Sequence, residues 1–316
     1  MSESPRVLFY GSPDFAVPTL QALIDSPYRP VAVVTQPDAR AGRGRSLRPP
    51  PVKELAAAYG IPALQPERLR DRAAIAQIAS LRPALQVVAA YGQIIPLEIL
   101  DLAAQGTLNV HASLLPRWRG ASPISAAILH GDQETGVTIM LVDETEDTGD
   151  ILRQRATAID PAEHAGQLSE RLADMGAGLL MQTILDWLDG KISPQPQDGS
   201  LATRARRVRK QQGRIDWTGS AEEIARHVRA YTPWPAAATT LDDASIRITQ
   251  ASSVGKDVRS EPGEIVEAED TIRVATGDGV LAIERLQRAG KKELSAEEFL
   301  RGARDLVGQR FGDSNG

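Results

Sequence analysis

The sequence predicts an α/β protein in two parts, a Rossmann-like parallel sheet followed by a small antiparallel β-barrel. Up to about residue 188, short apolar runs rich in β-branched residues alternate with helical patterns, which is typical of βαβ units. Beyond that point, short β segments follow one another with tight turns between them. A chain of 316 residues is long enough for two domains.

In the first part, the sheet is expected to be covered on both faces, because its strands are nearly continuous apolar runs. The strands are predicted at 6–10, 31–35, 85–90, 107–111, 137–142 and 151–159. Helices, where apolar residues recur with a helical period, are predicted at 15–24, 52–59, 68–80, 124–129 and 164–188.

A polar stretch with several Pro and Gly residues, at 189–200, separates the two parts. The predicted organisation is a first domain at 1–188, a basic linker containing Pro and Gly at 189–208, and the barrel domain at 209–316. In the barrel domain, strands are predicted at 245–249, 264–268, 271–275 and 280–286. Gly277 to Gly279 predicts a tight hairpin turn between the last two of these strands. Capping boxes at Ser220 with Glu223 and at Ser295 with Glu298 each predict the start of a helix.

The composition excludes several kinds of chemistry. The chain has no cysteine, which rules out disulfides, thiolate nucleophiles and Cys-ligated zinc. No pair of histidines has the spacing of a metal motif; the four are His111, His130, His164 and His227. We therefore expect a mechanism without a metal. The formal net charge of −5 means that any affinity for nucleic acid must come from local basic patches.

The sequence also favours a cytoplasmic protein without a membrane partner. The first β-like run begins at Arg6, which is expected to leave no room for a signal peptide ahead of the fold. No apolar run approaches the roughly 18 residues that a membrane helix needs. We expect the protein to be a monomer.

Two polar side chains stand where a buried strand is predicted to end. Asn109 and His111 are two residues apart, so their side chains point to the same face of the sheet. Open parallel sheets bind ligands at the carboxyl ends of their strands. A dinucleotide is disfavoured, because the turn after the first strand reads GSPDFA and lacks the GxGxxG pattern. The alternative, that both residues only satisfy backbone groups at a strand end, stays open on the pattern alone.

An acidic cluster follows the predicted strand at 137–142. If this strand lies beside the one carrying Asn109, a carboxylate could sit next to His111 and favour its charged form. The spacing does not choose among the five acids, which are Asp143, Glu144, Glu146, Asp147 and Asp150. A solvated acidic loop is the alternative.

Several segments together resemble the methionyl-tRNA formyltransferase family. They are GSPDFAVPTL, TQPDARAGRGRSLRPPPVK, YGQIIPLEIL, NVHASLLPRWRGASP, DTGDIL, GRIDW, YTPWPAA and LQRAGKKELSAEEFLRG. The resemblance covers nearly the whole chain, in the family's order and spacing. It implies transfer of the formyl group of 10-formyltetrahydrofolate to the α-amino group of methionyl initiator tRNA, and an OB-like form for the barrel.

The resemblance also implies roles for particular residues. The family's catalytic Asn, His and Asp fall on Asn109, His111 and Asp147, so the choice among the five acids rests on the resemblance. An amide and a protonated imidazole can both donate to the oxyanion that forms when an amine attacks a formyl carbon. The folate pocket is expected at Val88, Ala90, Tyr91, Gly92, Ser113, Leu114, Leu115 and Pro116.

Two basic stretches favour an RNA acceptor. The loop from Gln36 to Pro51 is longer than a typical βα loop and is rich in arginine and glycine. A second stretch, Thr203 to Arg214, carries six basic residues, which suits an RNA backbone. The expected contacts to the acceptor stem of the tRNA are Arg40, Arg43, Arg45, Arg207 and Lys210. A solvated loop and a disordered linker are the alternatives for these stretches.

The chain departs from the family pattern at two of its basic positions. Arg204 stands where the family usually has an aromatic residue, and Arg207 stands where it has a lysine. The runner-up activity is a folate-dependent formyltransferase acting on an amino-sugar nucleotide or another small amine. An RNA-binding module with an inactive catalytic half would require a catalytic residue to be missing, and all three are present.

Overall fold

The computed structural model describes residues 4–41, 46–255, 260–303 and 305–312. The chain divides into two compact units. The first comprises Met1–Pro123, Glu134–Ala158 and Ser169–Arg206, and the second comprises Ile124–Gln133, Ile159–Leu168 and Arg207–Gly316. The domain bounds drawn from the sequence, at 188 and 208, stay a prediction.

The first unit is built on a seven-stranded sheet and a separate hairpin. Its strands are β1 (Val7–Gly11), β2 (Pro30–Val34), β3 (Ala39–Ala41), β4 (Ser46–Arg48), β5 (Ala63–Leu64), β6 (Leu85–Ala89), β7 (Thr107–His111), β8 (Glu134–Leu141) and β9 (Ile151–Ala158). Strands β3 and β4 form the hairpin, and the others form the sheet in the order β5-β2-β1-β6-β7-β8-β9.

Helices lie between these strands, as the alternating pattern predicts. Those up to residue 188 are α1 (Val17–Ile24), α2 (Pro51–Ala58), α3 (Arg72–Ser80), α4 (Leu97–Leu100), α5 (Pro123–Leu129) and α6 (Ala165–Leu188). Strands β1 and β6 are buried at every residue, which is expected for strands covered on both faces. The Rossmann-like arrangement is confirmed.

Neighbouring strands from β5 to β7 run parallel, but the last two strands do not. β8 pairs antiparallel with β7, and β9 pairs antiparallel with β8. Leu141, at the end of β8, therefore lies opposite Leu108, near the start of β7. The loop after β8 leaves the sheet at the amino end of β7, away from the edge where the parallel strands end.

The second unit contains the predicted antiparallel β structure. Its strands are β10 (Ala237–Leu241), β11 (Ala244–Ser253), β12 (Ile265–Ala268), β13 (Ile272–Ala275), β14 (Val280–Arg288) and β15 (Glu293–Ser295). They run in the order β10-β11-β14-β13-β12, with β15 on β14. Within the described residues, β10 and β12 are the two ends of this path and do not pair with each other.

One apolar core holds the second unit together. The helices α7 (Ala221–Tyr231) and α8 (Ala296–Leu300) contribute to it, and both begin at the capping boxes expected from the sequence. The rings of Trp217 and Phe311 stack in this core with their centroids 5.5 Å apart. Across the described ranges, no helix is both long and apolar enough to span a membrane.

The capping box of α7 predicts a pH dependence of stability. The backbone N–H and the hydroxyl of Ser220 donate to the Glu223 carboxylate and lower its pKa. Because the folded-state pKa is depressed, this group stabilises the fold above the usual Glu value of about 4.3, and the contribution is lost as the pH falls through the folded-state pKa.

The expected result is that Glu223→Gln lowers the free energy of unfolding at pH 7 and that the difference from the original chain disappears in acid. Urea denaturation between pH 7 and pH 3 measures it. Glu222→Gln, one residue earlier in the same exposed turn, is the matched control. A constant difference across this pH range would contradict the assignment.

Candidate active site

Strand β7 presents Asn109 and His111 on one face of the sheet. Asn109 lies beside Val88 of β6 and Met140 of β8, and His111 lies opposite Thr138 of β8. The His111 side chain is only 6% exposed, whereas Asn109 is half-buried. The prediction that β7 spans 107–111 is confirmed.

One carboxylate of the acidic loop reaches both of these side chains. Asp147 Oδ1 lies 3.4 Å from Asn109 Nδ2, and Asp147 Oδ2 lies 3.6 Å from His111 Nδ1. The backbone N–H of Gly120 donates to Asp147 Oδ2 at 2.8 Å. The carboxylate therefore lies between the amide and the imidazole, with its own position set by a backbone donor.

The remaining acids of the loop have other surroundings. Asp143 accepts hydrogen bonds from Thr145 and Thr148 and is exposed. Glu146 lies 3.8 Å from Arg204, with both side chains largely exposed. Of the five acids, all of which the structure describes, Asp147 is the one placed against Asn109 and His111.

A backbone carbonyl determines which nitrogen of His111 faces the carboxylate. His111 Nε2 lies 3.0 Å from the Trp118 carbonyl oxygen, which can only accept. Nε2 must therefore carry a proton, and Nδ1 is the nitrogen directed at Asp147.

The route by which Asp147 arrives differs from the one the sequence suggests. Strands β7 and β8 are neighbours, but they run antiparallel. The loop after β8 therefore starts at the amino end of β7, whereas His111 lies at its carboxyl end. It folds back over the sheet face that carries Asn109 and His111. Asp147 adopts a left-handed backbone conformation, with φ of +56°, which aspartate tolerates better than most residues.

Gly149 allows the loop to pass close to β8. A Cβ at this position would collide with the carbonyl oxygen of Leu141 and lie 3.3 Å from Cε of Met140. The Leu141 N–H donates to the Asp150 carbonyl at 2.9 Å, so the chain cannot easily move away. Glycine at position 149 is therefore a steric requirement for the path of the loop that carries Asp147.

Sequence reasoning missed the supporting role of residues 195–205. Gln197 Nε2 donates to the carbonyls of Asp147, at 3.0 Å, and Gly149, at 2.8 Å. Thr203 Oγ1 accepts from the Trp118 N–H at 2.9 Å. This stretch, assigned to a linker from its composition, runs along the first unit and holds the backbone of Asp147, Gly149 and Trp118 in place.

Gly120 is held by the same stretch. Its φ is +115°, a conformation that favours glycine, and a Cβ there would lie 2.7 Å from the Ala205 carbonyl oxygen. The glycine in RGASP is the sequence signal that could have revealed this donor. The Gly120 N–H donates to Asp147, which lies 27 residues later in the chain, so the residues around Gly120 do not by themselves reveal its partner.

The residues expected to bind folate lie at the carboxyl ends of two adjacent parallel strands. Ala90, Tyr91 and Gly92 follow β6, while Ser113, Leu114, Leu115 and Pro116 follow β7. Val88, in β6, pairs with Asn109. The topology therefore brings the predicted pocket residues to the sheet edge nearest His111.

Several of these residues already have internal partners. The Tyr91 ring is buried edge-on against Tyr10, and burial raises the pKa of its hydroxyl. Ser113 Oγ donates to the Arg117 carbonyl at 2.6 Å, and the Leu115 N–H donates to Thr138 at 3.1 Å. The side chains of Tyr91 and Ser113 are therefore already engaged within the fold.

The basic residues expected to contact RNA fall in three places. Arg40 is exposed on β3, directly opposite Leu47 of β4, which is 68% exposed. Arg43 and Arg45 lie outside the described residues. Arg207 and Lys210 are exposed in the second unit.

The base of the arginine loop is anchored. Asp38 accepts from Lys53 Nζ at 2.8 and 2.9 Å and from Gln65 Nε2 at 2.7 Å, and these bonds lower the pKa of its carboxyl. Arg40 lies two residues further along, at the start of the hairpin. The hairpin therefore starts from a position fixed on the first unit.

Residues 6–184 match the family described as formyl transferase, and residues 207–304 match its C-terminal domain. A methionyl-tRNA formyltransferase of Roseiflexus sp. strain RS-1 is 45% identical, with 98% of this chain and 96% of that protein aligned. A protein of the same name from Pseudomonas entomophila strain L48 is 46% identical, with 95% and 96% aligned.

Among solved structures, the fold is similar to that of WlaRD, a sugar 3N-formyl transferase crystallised in the presence of dTDP and 5-N-formyl-THF. The TM-score is 0.64 at 17% identity, covering 92% of this chain and 100% of that one. Sequence matches of this length and identity show that the chain belongs to the formyltransferase family, in the branch of the methionyl-tRNA formyltransferases.

Proposed function

We propose that this protein transfers the formyl group of 10-formyltetrahydrofolate to the α-amino group of methionyl initiator tRNA. The observation that carries the proposal is the contact of Asp147 with Asn109 and His111, in a chain aligned end to end with methionyl-tRNA formyltransferases. The family uses folate derivatives as formyl donors. A cytoplasmic site of action fits this role.

The three side chains suit attack of an amine on a formyl carbon. As the C–N bond forms, the formyl oxygen becomes an oxyanion, which Asn109 Nδ2–H and His111 Nδ1–H can stabilise by donating hydrogen bonds. The amine becomes more acidic and loses a proton to Asp147, directly or through water. Collapse of the oxyanion breaks the bond to N10 of the folate, which takes up a proton and leaves as tetrahydrofolate.

The geometry supports separate tasks for the two sides of the imidazole. Nε2 is committed to the Trp118 carbonyl, so Nδ1 is left to face the reacting groups and Asp147. Asp147 is in turn oriented by Gly120 N–H, which is independent of the protonation state of His111. No covalent intermediate on the protein is needed for this reaction.

The proposed donor pocket is the sheet edge formed by 90–92 and 113–116, with Val88 beneath it. The pterin ring is flat and has an amide-like edge, which backbone N–H and C=O groups can recognise. Apolar side chains such as those of Leu114 and Leu115 provide a wall for the ring. Pockets for small molecules usually combine apolar walls with a few polar groups in this way.

The proposed acceptor contacts are Arg40, Arg43, Arg45, Arg207 and Lys210, directed at the acceptor stem of the tRNA. Arginine and lysine provide most protein contacts to RNA phosphates. The protein is otherwise acidic, with a net charge of −5, so basic residues concentrated in two stretches are the feature that favours RNA over a small amine.

A direct assay tests the proposed function. The purified protein is given 10-formyltetrahydrofolate together with methionyl initiator tRNA, methionyl elongator tRNA, or an amino-sugar nucleotide, and formyl transfer is measured. We expect transfer to the initiator tRNA, with kcat/KM for the other acceptors lower by at least about a hundredfold, which corresponds to roughly 2.8 kcal/mol. Efficient transfer only to the small amine would contradict the proposal.

A further inference from the structure

Trp234 is an exposed tryptophan that the proposed mechanism does not use. Trp234 exposes 60% of its surface, whereas Trp118 and Trp217 expose only 5% and 6%. Aromatic side chains stabilise a fold chiefly by burying a large apolar area. An indole held in solvent gives up that stabilisation, which makes it a candidate contact for a binding partner.

The turn that carries Trp234 is fixed in position. Pro233 and Pro235 flank it and restrict the backbone on both sides. The Ala236 N–H donates to the Tyr231 carbonyl at 2.9 Å and closes the turn at the end of α7. A side chain presented on a rigid turn loses little conformational entropy when it binds.

A basic segment, residues 207–214, lies against the same turn. A Cβ on Gly213 would collide with the carbonyl oxygen of Ala236 and would lie 3.3 Å from Cγ of Pro235. Just beyond the segment, the Ile215 N–H donates to the Ala238 carbonyl at 2.9 Å. Its four basic side chains are exposed: Arg207, Arg209, Lys210 and Arg214. The second unit therefore has an exposed indole on the turn and four exposed basic side chains on the segment that contacts this turn.

We infer that Trp234 stacks on an unpaired base of the RNA acceptor while the basic segment contacts the phosphates beside that base. This inference rests on the proposed function, since it takes the partner to be tRNA. Proteins that bind single strands combine aromatic rings with a basic track in this way, because every base has a face that can stack. In a duplex these faces are covered by neighbouring bases, so the unpaired 3′ end of the tRNA is the fitting segment.

The test compares intact tRNA with tRNA from which the unpaired 3′ nucleotides have been removed. Affinities are measured for the original chain, Trp234→Ala, Trp234→Phe and Val307→Ala. Val307 is the matched control, because it is 61% exposed in the same unit and lies outside the basic segment and the turn. Circular dichroism verifies that each variant is folded.

We expect Trp234→Ala to weaken binding of intact tRNA by about 5- to 100-fold. Trp234→Phe should retain most of the affinity, and Val307→Ala should be unchanged. On the trimmed RNA, Trp234→Ala and the original chain should bind equally. Indole fluorescence should be quenched by intact tRNA in the original chain, and this quenching should be lost in Trp234→Phe.

An equal loss on intact and trimmed RNA, or no loss on either, would overturn the inference. Formyl transfer by the original chain is a separate readout, because it does not depend on where Trp234 binds. A chain that formylates initiator tRNA but shows no Trp234 effect would retain the proposed function and lose only this inference. A protein that neither binds nor formylates tRNA would contradict the proposed function itself, and the inference about Trp234 with it.

Discussion

Asp147→Asn is expected to reduce kcat by about 10²- to 10⁴-fold, the usual contribution of a positioned acid or base. Asparagine has a similar shape and keeps an oxygen that can accept from Gly120 N–H. It lacks the negative charge that faces His111 Nδ1 in the original chain, and it cannot take the proton from the attacking amine. Single-turnover formyl transfer measures the chemical step, and the free energy of unfolding shows whether the variant remains folded.

Glu144→Gln is the matched control for this prediction. Glu144 is an exposed acid in the same loop, and its loss removes the same charge from the same surface. We expect its kcat to be close to that of the original chain. If folded Asp147→Asn kept near-native kcat, the proposed role of Asp147 would be wrong, whatever the acceptor.

Gly149→Ala is expected to impair both stability and activity. The added methyl group would collide with the Leu141 carbonyl, which belongs to the backbone of β8 and cannot rotate away. Overpacking of this kind costs about 1–3 kcal/mol of stability. The loop would have to move outwards and take Asp147, two residues earlier, with it. A displacement of about 1 Å at a reacting group can lower the rate about 10²-fold.

Gly178→Ala provides the contrasting control. Gly178 lies on α6, is exposed, and a Cβ there would have nothing within 4 Å. Alanine in a helix is more stable than glycine by roughly 0.5–1 kcal/mol, so this variant should be slightly more stable and fully active. Urea denaturation and kcat are measured for both variants. A stable and active Gly149→Ala would show that the close approach to β8 is not required.

The elements that were predicted correctly from the sequence are those with a strong local pattern. β7 was placed at its observed bounds, and β1 and β6 to within a residue, because each is a continuous apolar run with clear ends. β10 was missed, since it starts directly after the proline-rich turn. The hairpin of β3 and β4 was also missed, because each of its strands is only three residues long, which is too short for a pattern to be recognised.

The direction of β8 could not be predicted from local pattern. An apolar run has the same appearance whichever way the strand runs, and only the pairing with β7 determines it. The sequence suggested that one of the five acids after β8 would lie next to His111 if β8 were a neighbour of β7. In the structure Asp147 reaches Asn109 and His111 from the opposite edge, over the face of the sheet.

By itself, the sequence determined that Asn109 and His111 share a face, that the chemistry needs no cysteine, and that basic charge is concentrated in two stretches, since periodicity and composition are local properties. The family resemblance chose Asp147 among the five acids, whereas the tertiary structure alone decided how Asp147 reaches the histidine, which imidazole nitrogen faces it, and that Gly120 and Gln197 support it. These depend on contacts between residues up to 50 positions apart in the chain, which no local pattern encodes.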